Sequence, residues 1–310
     1  MAQASIAGAG QGLFGADHVG VMPQPTCCGH SAWPSPHTTS DEATSLLGAS
    51  SSPWRRTDYL DLVCTGGFPE IVSLPARGAV TDAWFDGYLK TVIMRDVANF
   101  AHIQHGAILP RLLALLAARA GSTFVVADLA RTVELSPVTT RAYMSYLDTV
   151  FLTATVPPWS TNLTTKAAKT PKVYLTDSGL AAHLLGIDAE ALQPPGHRAT
   201  GGLVETFVFA ELTRLLAQQD RAPTLRFFRD RDGREVDFIL ETRDGRIAGI
   251  EIKSSTTVTA DDFRHLRWLR ERLGDRFAAG VVLHLGPHTH SFADRMVAAP
   301  LSAIWHHAKP

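Results

Sequence analysis

The spacing of apolar positions changes period several times along the chain, and each change marks an element. From Thr81 to Phe100, the residues Trp84, Phe85, Tyr88, Leu89, Val92, Ile93 and Val97 recur at spacings of three, four and one. That predicts a helix with one apolar face. Ile108 to Ala120 predicts a second, strongly apolar helix, with Pro110 in its first turn and Gly121 at its end. Val126 to Thr132 reads as a short helix. Ser136-Pro137 starts another, with Ser as N-cap and Pro at the first helical position, running through Tyr143 and Leu147 to about Thr149. Phe151 to Val156 alternates, is rich in β-formers and stops at Pro157-Pro158. Helix, helix, short turn, helix and β-hairpin is a winged-helix pattern.

The second half follows a different rhythm. Lys172 to Leu175 predicts a strand, and Asp177-Ser178-Gly179 a turn into a short helix. Gly202 to Gln219 predicts a long amphipathic helix. Three strands follow, at 225–229, 234–241 and 246–254, then a helix over 261–273 and a buried strand over 279–285. The connections Arg231-Asp232-Gly233 and Arg243-Asp244-Gly245 each fit a three-residue hairpin loop with Gly in the left-handed position. The expectation is an α/β chain: a helical segment and a winged helix, then a domain with a mixed central sheet.

Composition adds limits. The 310 residues suggest about two domains. Residues 1–56 are rich in Gly, Ser, Thr, Pro and Ala and carry no sustained period, so they are expected to form a disordered or irregular leader. The expected divisions after it are 57–109 (helical segment), 110–165 (winged helix) and 166–310 (mixed-sheet domain). The net charge of −1 excludes a globally basic nucleic-acid coat protein and an acidic tail protein. Cys27, Cys28 and Cys64 cannot build a disulfide framework. No apolar run reaches the roughly 18 residues of a membrane span, and the first twenty residues lack Lys and Arg. A cytoplasmic protein is expected.

The chemistry is read from the second hairpin. With Arg243-Asp244-Gly245 as its loop, Thr242 faces Arg246 and Asp237 lies opposite Glu251. Strand alternation puts Lys253 on the same face as Glu251. Two carboxylates this close repel unless a cation compensates them, and Mg²⁺ typically takes one or two carboxylates plus waters. Asp237 and Glu251 are therefore the candidate metal ligands. Lys253 is the candidate for orienting an attacking water, and Glu205, on the preceding helix, for assisting at the rim. The bland alternative is a half-solvated strand face bearing a surface salt bridge.

Asp237, then Glu251-Ile252-Lys253 after a hairpin, with Glu205 on the helix before, resembles the PD-(D/E)XK or restriction-endonuclease-like nuclease fold. More closely, the stretch from about 57 to 300 resembles the C-terminal half of bacterial and archaeal AAA-type ATP-binding proteins. The segments that carry this are Gly66-Gly67-Phe68-Pro69-Glu70, Tyr88 to Asp96, Pro157-Pro158-Trp159-Ser160, Pro171 to Leu180 and Phe228 to Asp237. The resemblance implies a winged helix joining an ATPase to a nuclease-like domain, with 57–100 a remnant of the ATPase lid. The family's ATPase module carries a G-x-x-x-x-G-K-[ST] loop, and this chain contains no Gly-Lys dipeptide. ATP binding by this chain alone is not expected, and the resemblance leaves room for an ATPase partner in trans.

A nucleic acid, DNA in preference, is the expected partner. Between Pro110 and Lys172 there are seven Lys/Arg against three Asp/Glu, a net +4. Arg141, Lys166, Lys169 and Lys172 are the candidate contacts, with Thr139, Thr140 and Ser145 beside Arg141 on the 137–149 helix. A module that binds protein or nucleic acid without catalysis fits the same pattern. The histidines His288, His290, His306 and His307 lack Cys or acidic partners at ligand spacing.

Overall fold

The computed structural model describes residues 51–74, 78–93, 108–123, 125–160 and 170–305. Two glycine turns organise the C-terminal sheet. Gly233 and Gly245 take φ of 80° and 81°, the left-handed region that the loops require. They join β3 (Thr224–Arg229), β4 (Glu235–Glu241) and β5 (Ile247–Lys253) into an antiparallel meander. The β4–β5 register pairs Phe238 with Ile250 and Glu241 with Ile247, the register read from the loop alone. A 3₁₀ turn at Ala260–Phe263 and helix α9 (Arg264–Leu273) then cross to β6 (Phe277–His284), which pairs parallel to β5. β8 (Met296–Pro300) adds parallel to β6, and β7 (His290–Ala293) closes the edge antiparallel to β8. The strand order is β3-β4-β5-β6-β8-β7.

One face of this sheet packs on α9. Leu266 and Leu269 meet Val236, Ile239, Ile247, Phe277 and Val282, with Phe263 and Trp159 completing the layer. The other face lies under α8 (Thr200–Ala217), where Phe209 stacks on Tyr174 at 4.7 Å and on Phe238 at 6.4 Å.

Ahead of the sheet come α1 (Arg56–Thr65), α2 (Pro69–Val72), α3 (Ala79–Thr91), α4 (Ile108–Ala118), α5 (Val126–Val133) and α6 (Pro137–Thr149). Ser136 caps α6 as expected, accepting from Thr139 N at 3.0 Å. β1 (Thr153–Val156) pairs antiparallel with β2 (Lys172–Leu175), and Thr123, just before α5, bridges to Lys172. The strand after α6 therefore finds its partner at 172–175. β2, the strand expected at Lys172 to Leu175, forms a two-stranded sheet with β1 that is separate from the six-stranded one. The expected 81–100 helix is described only as far as Ile93, and 94–100 lie outside the described residues.

Most of the expected leader (1–50) also lies outside them, but its last residues are packed. Ser52 is buried, its N–H donates to Pro287 O at 2.6 Å, and its hydroxyl bonds Ser302 at 2.8 Å.

α1 and α7 (Ser178–Leu185) cross where glycine is required. A Cβ on Gly179 would lie 2.3 Å from Thr65 O and 2.8 Å from Gly66 N, both main-chain atoms that cannot swing aside. Asp177 caps α7 through Leu180 N (2.9 Å) and also holds Gly67 N (2.7 Å), so the crossing is tied from both sides. Gly179→Ala is expected to destabilise the chain by about 1–3 kcal/mol through overpacking. The urea midpoint would fall with an unchanged slope, and an unchanged midpoint would refute the close contact.

Candidate active site

Four carboxylates meet beneath α8. β4 presents Glu235 and Asp237, two apart on one strand face; α8 presents Glu205; β5 presents Glu251. Asp237 Oδ2 accepts from Ile252 N at 2.9 Å, which locks the end of the hairpin and sets Asp237 beside Glu251. Lys253 Nζ donates to Glu251 Oε1 at 3.0 Å and lies 3.8 Å from Asp262. Asp237, Glu251, Lys253 and Glu205 are thus brought into one cluster.

Glu235 and Tyr174 are not singled out by the sequence, whereas Lys172, at a strand end, is open there to a structural ion pair as well as to nucleic acid. The Lys172 side chain is fully buried, with Nζ 2.7 Å from Glu235 Oε1, 3.0 Å from Glu205 Oε1 and 3.5 Å from Asp237 Oδ1. Tyr174, two residues on and on the same face of β2, donates to Glu205 Oε1 at 2.5 Å. Lys172 was expected on a nucleic-acid surface; a lysine with no exposed surface and three carboxylate partners offers no cation to a phosphate there. Thr140 is corrected for the same reason, being buried with its hydroxyl on Ser136 O. Arg141 and Ser145 are exposed on α6, Thr139 is half-buried, and Lys166 and Lys169 lie outside the described residues.

Carboxylates outnumber cations inside the cluster: Glu205, Glu235, Asp237 and Glu251 face Lys172 and Lys253, with Arg229 reaching Glu235 from the half-exposed side at 3.6 Å. Burial, then the Asp237 charge, pushes the Glu251 carboxyl up to about 8. The same two causes push Glu205 up to about 7 against the pull of Lys172. Burial also raises Asp237. Burial works against the Lys172 charge, but Glu205, Asp237 and Glu235 more than offset it and hold the ammonium protonated. Glu251 Oε2 is buried and has no hydrogen-bond partner among the described residues. A buried, unpartnered carboxylate oxygen next to a second carboxylate is a donor pair that suits Mg²⁺. No group of three or more His, Cys, Asp or Glu among the described residues is arranged to hold a metal ion. No helix among them is long and apolar enough to cross a membrane.

The chain is 32% identical over 241 residues to the uncharacterised proteins Rv2008c of Mycobacterium tuberculosis and Mb2031c of Mycobacterium bovis. The match covers 77% of this chain and 52% of each relative, so the chain spans about half the length of the curated relatives it matches. No solved structure matches it. The matched domains divide the cluster between them: residues 56–191, which supply Lys172 and Tyr174, match a domain of unknown function, DUF8612, and residues 200–304, which supply every carboxylate and Lys253, match another, DUF4143.

Proposed function

We propose that the 200–304 segment is a Mg²⁺-dependent phosphodiesterase of the restriction-endonuclease-like type, acting on nucleic acid. The observation that carries this is the convergence of Asp237, held by Ile252 N, with Glu251, whose Oε2 is buried and has no partner among the described residues, and with Lys253 two residues on. The element order α8, β3, β4, β5, α9, β6 supports the same reading, with the meander antiparallel and β5 parallel to β6. Asp237 and Glu251 would hold the ion, which when bound supplies Lewis acidity at the phosphate. Lys253, held by Glu251, orients the attacking water or meets the developing negative charge. Glu205 is held by Tyr174 and Lys172 close to Asp237 and would assist there.

For 108–175, the order α4, bridging Thr123, α5, α6, β1, β2 supports a winged helix, with exposed Arg141 and Ser145 available to a DNA groove. One observation favours a second reading, a binding module without catalysis: Lys172 already neutralises part of the cluster.

Calorimetric titration of Mg²⁺ and Mn²⁺ into the full chain, followed by single- and double-stranded DNA and RNA, separates the two readings. The catalytic reading expects metal binding lost in Asp237→Ala and Glu251→Ala, with cleavage lost alongside. It expects Lys253→Ala to keep the metal and cleave about 100-fold more slowly. A folded wild type that binds no metal would sink it and leave the binding module.

A further inference from the structure

The central member of the cluster is a lysine from the other matched segment. Three carboxylate oxygens on two elements, Glu205 on α8 and Glu235 and Asp237 on β4, approach Lys172 Nζ to between 2.7 and 3.5 Å. These are ammonium–carboxylate distances, whereas Mg²⁺ draws oxygens to about 2.0–2.1 Å and Ca²⁺ to about 2.3–2.6 Å. The Phe227 ring lies 5.4 Å from the ammonium, and glycine at 121 leaves room beside it: a Cβ there would fall 2.1 Å from Glu205 Oε2.

We infer that Lys172 is a resident cation. Its ammonium fills one of two cation positions in the cluster, and the chain takes a divalent ion only at the other, beside Asp237 and Glu251. The second position rests on the reading proposed above; the first stands on the lysine's own geometry. Two positions follow from the contacts: Lys172 serves Glu205, Glu235 and Asp237, with Arg229 touching only the other oxygen of Glu235 at 3.6 Å; Lys253 serves Glu251 and Asp262; and Glu251 Oε2 is served by none of them. The lysine belongs to the 56–191 segment and its carboxylates to the 200–304 segment, so this cation position is completed across the two matched segments.

The test uses the full chain, Lys172→Met (which keeps the apolar stem) and Mn²⁺ as probe, read by calorimetric stoichiometry and by melting temperature in EDTA and in saturating Mn²⁺. The expected result is one Mn²⁺ for wild type and two for Lys172→Met, with a Mn²⁺-induced melting shift at least twice that of wild type. Adding Glu235→Gln, which removes a ligand of the vacated position, should return the variant to one. One Mn²⁺ for both wild type and Lys172→Met overturns this inference while leaving the Asp237–Glu251 site standing. No Mn²⁺ for wild type and one for Lys172→Met, lost with Glu235→Gln, upholds the resident cation and overturns that site instead. If Lys172→Met folds in neither condition, Lys172→Gln, which keeps all three carboxylates, takes its place, and a Mn²⁺ response no greater than wild type overturns the inference.

Discussion

Lys172→Ala is expected to lower the unfolding free energy by about 3–5 kcal/mol near pH 8, because it removes one partner from a buried ion network. The effect is large because of what stays behind. Glu205, Glu235 and Asp237 keep their places on α8 and β4, which the stacking of Tyr174, Phe209 and Phe238 holds together. They lose the one cation that touches all three. Their cheapest escape is to take up protons, so the destabilisation should shrink as the pH falls towards about 5. Urea unfolding in EDTA at both pH values measures it. Lys172→Met separates charge from packing, since its stem fills much the same volume. A loss below about 1 kcal/mol for both variants at both pH values would mean that water already reaches the carboxylates.

The sequence disclosed those parts of the site that follow from local rules. Gly245 in a three-residue loop allows one register, observed as far as Phe238–Ile250, and its extension by one position points to Asp237 and Glu251, although Asp237 is finally held by its side-chain bond to Ile252 N. The period of two along β5 then supplies Lys253. Applied to β4, the same period would have supplied Glu235, two residues before Asp237; that signal was present. Lys172 is different. It lies 33 residues from Glu205 and 65 from Asp237, on a strand of another sheet, and no periodicity connects them. The one hint was local: a lysine opening Lys172-Val173-Tyr174-Leu175, a strand buried at every position, needs a partner inside. At the fold level, α1 lies within the expected 57–109 helical segment, but its bounds are not legible because Arg56–Thr65 mixes charged and apolar residues with little facial segregation. β7 and β8 were missed because a turn through Arg295, at a φ of 58°, joins two short strands and the second ends on Pro300. Helices with strong stripes or caps, such as α4 and α6, fell where they were expected.

The metal-free chain is expected to lose stability as the pH rises from about 5 to about 8.5, the reverse of the usual carboxylate trend. Glu251 and Glu205 start near 4.5 in the unfolded chain and rise to about 8 and about 7 in the fold, chiefly through burial and then through Asp237. The native state therefore holds protons that the unfolded state has released. The associated stability is fully present below about pH 4.5 and is lost as the pH climbs through the folded values. Asp237, also raised by burial, acts in the same sense. His284, lowered by burial, acts oppositely: its contribution is present above the ordinary histidine value and is lost below it, so it blunts the trend only at the acid end. Two independent carboxyls with these shifts would give about 8 kcal/mol; sharing Asp237 as a neighbour and keeping some solvent contact brings the expected change to the order of 4 kcal/mol. Unfolding in EDTA at pH 5.5, 7 and 8.5 reads the slope directly. Glu251→Gln should flatten its upper half, because a neutral amide loses nothing on deprotonation. Mg²⁺ should restore stability at pH 8.5 and do little at pH 5.5, where protons already occupy the oxygens it would take. A metal-free chain that grows steadily more stable across this range would show that these carboxylates are ionised and solvated in the native state, and the cluster would then be an ordinary surface ion network.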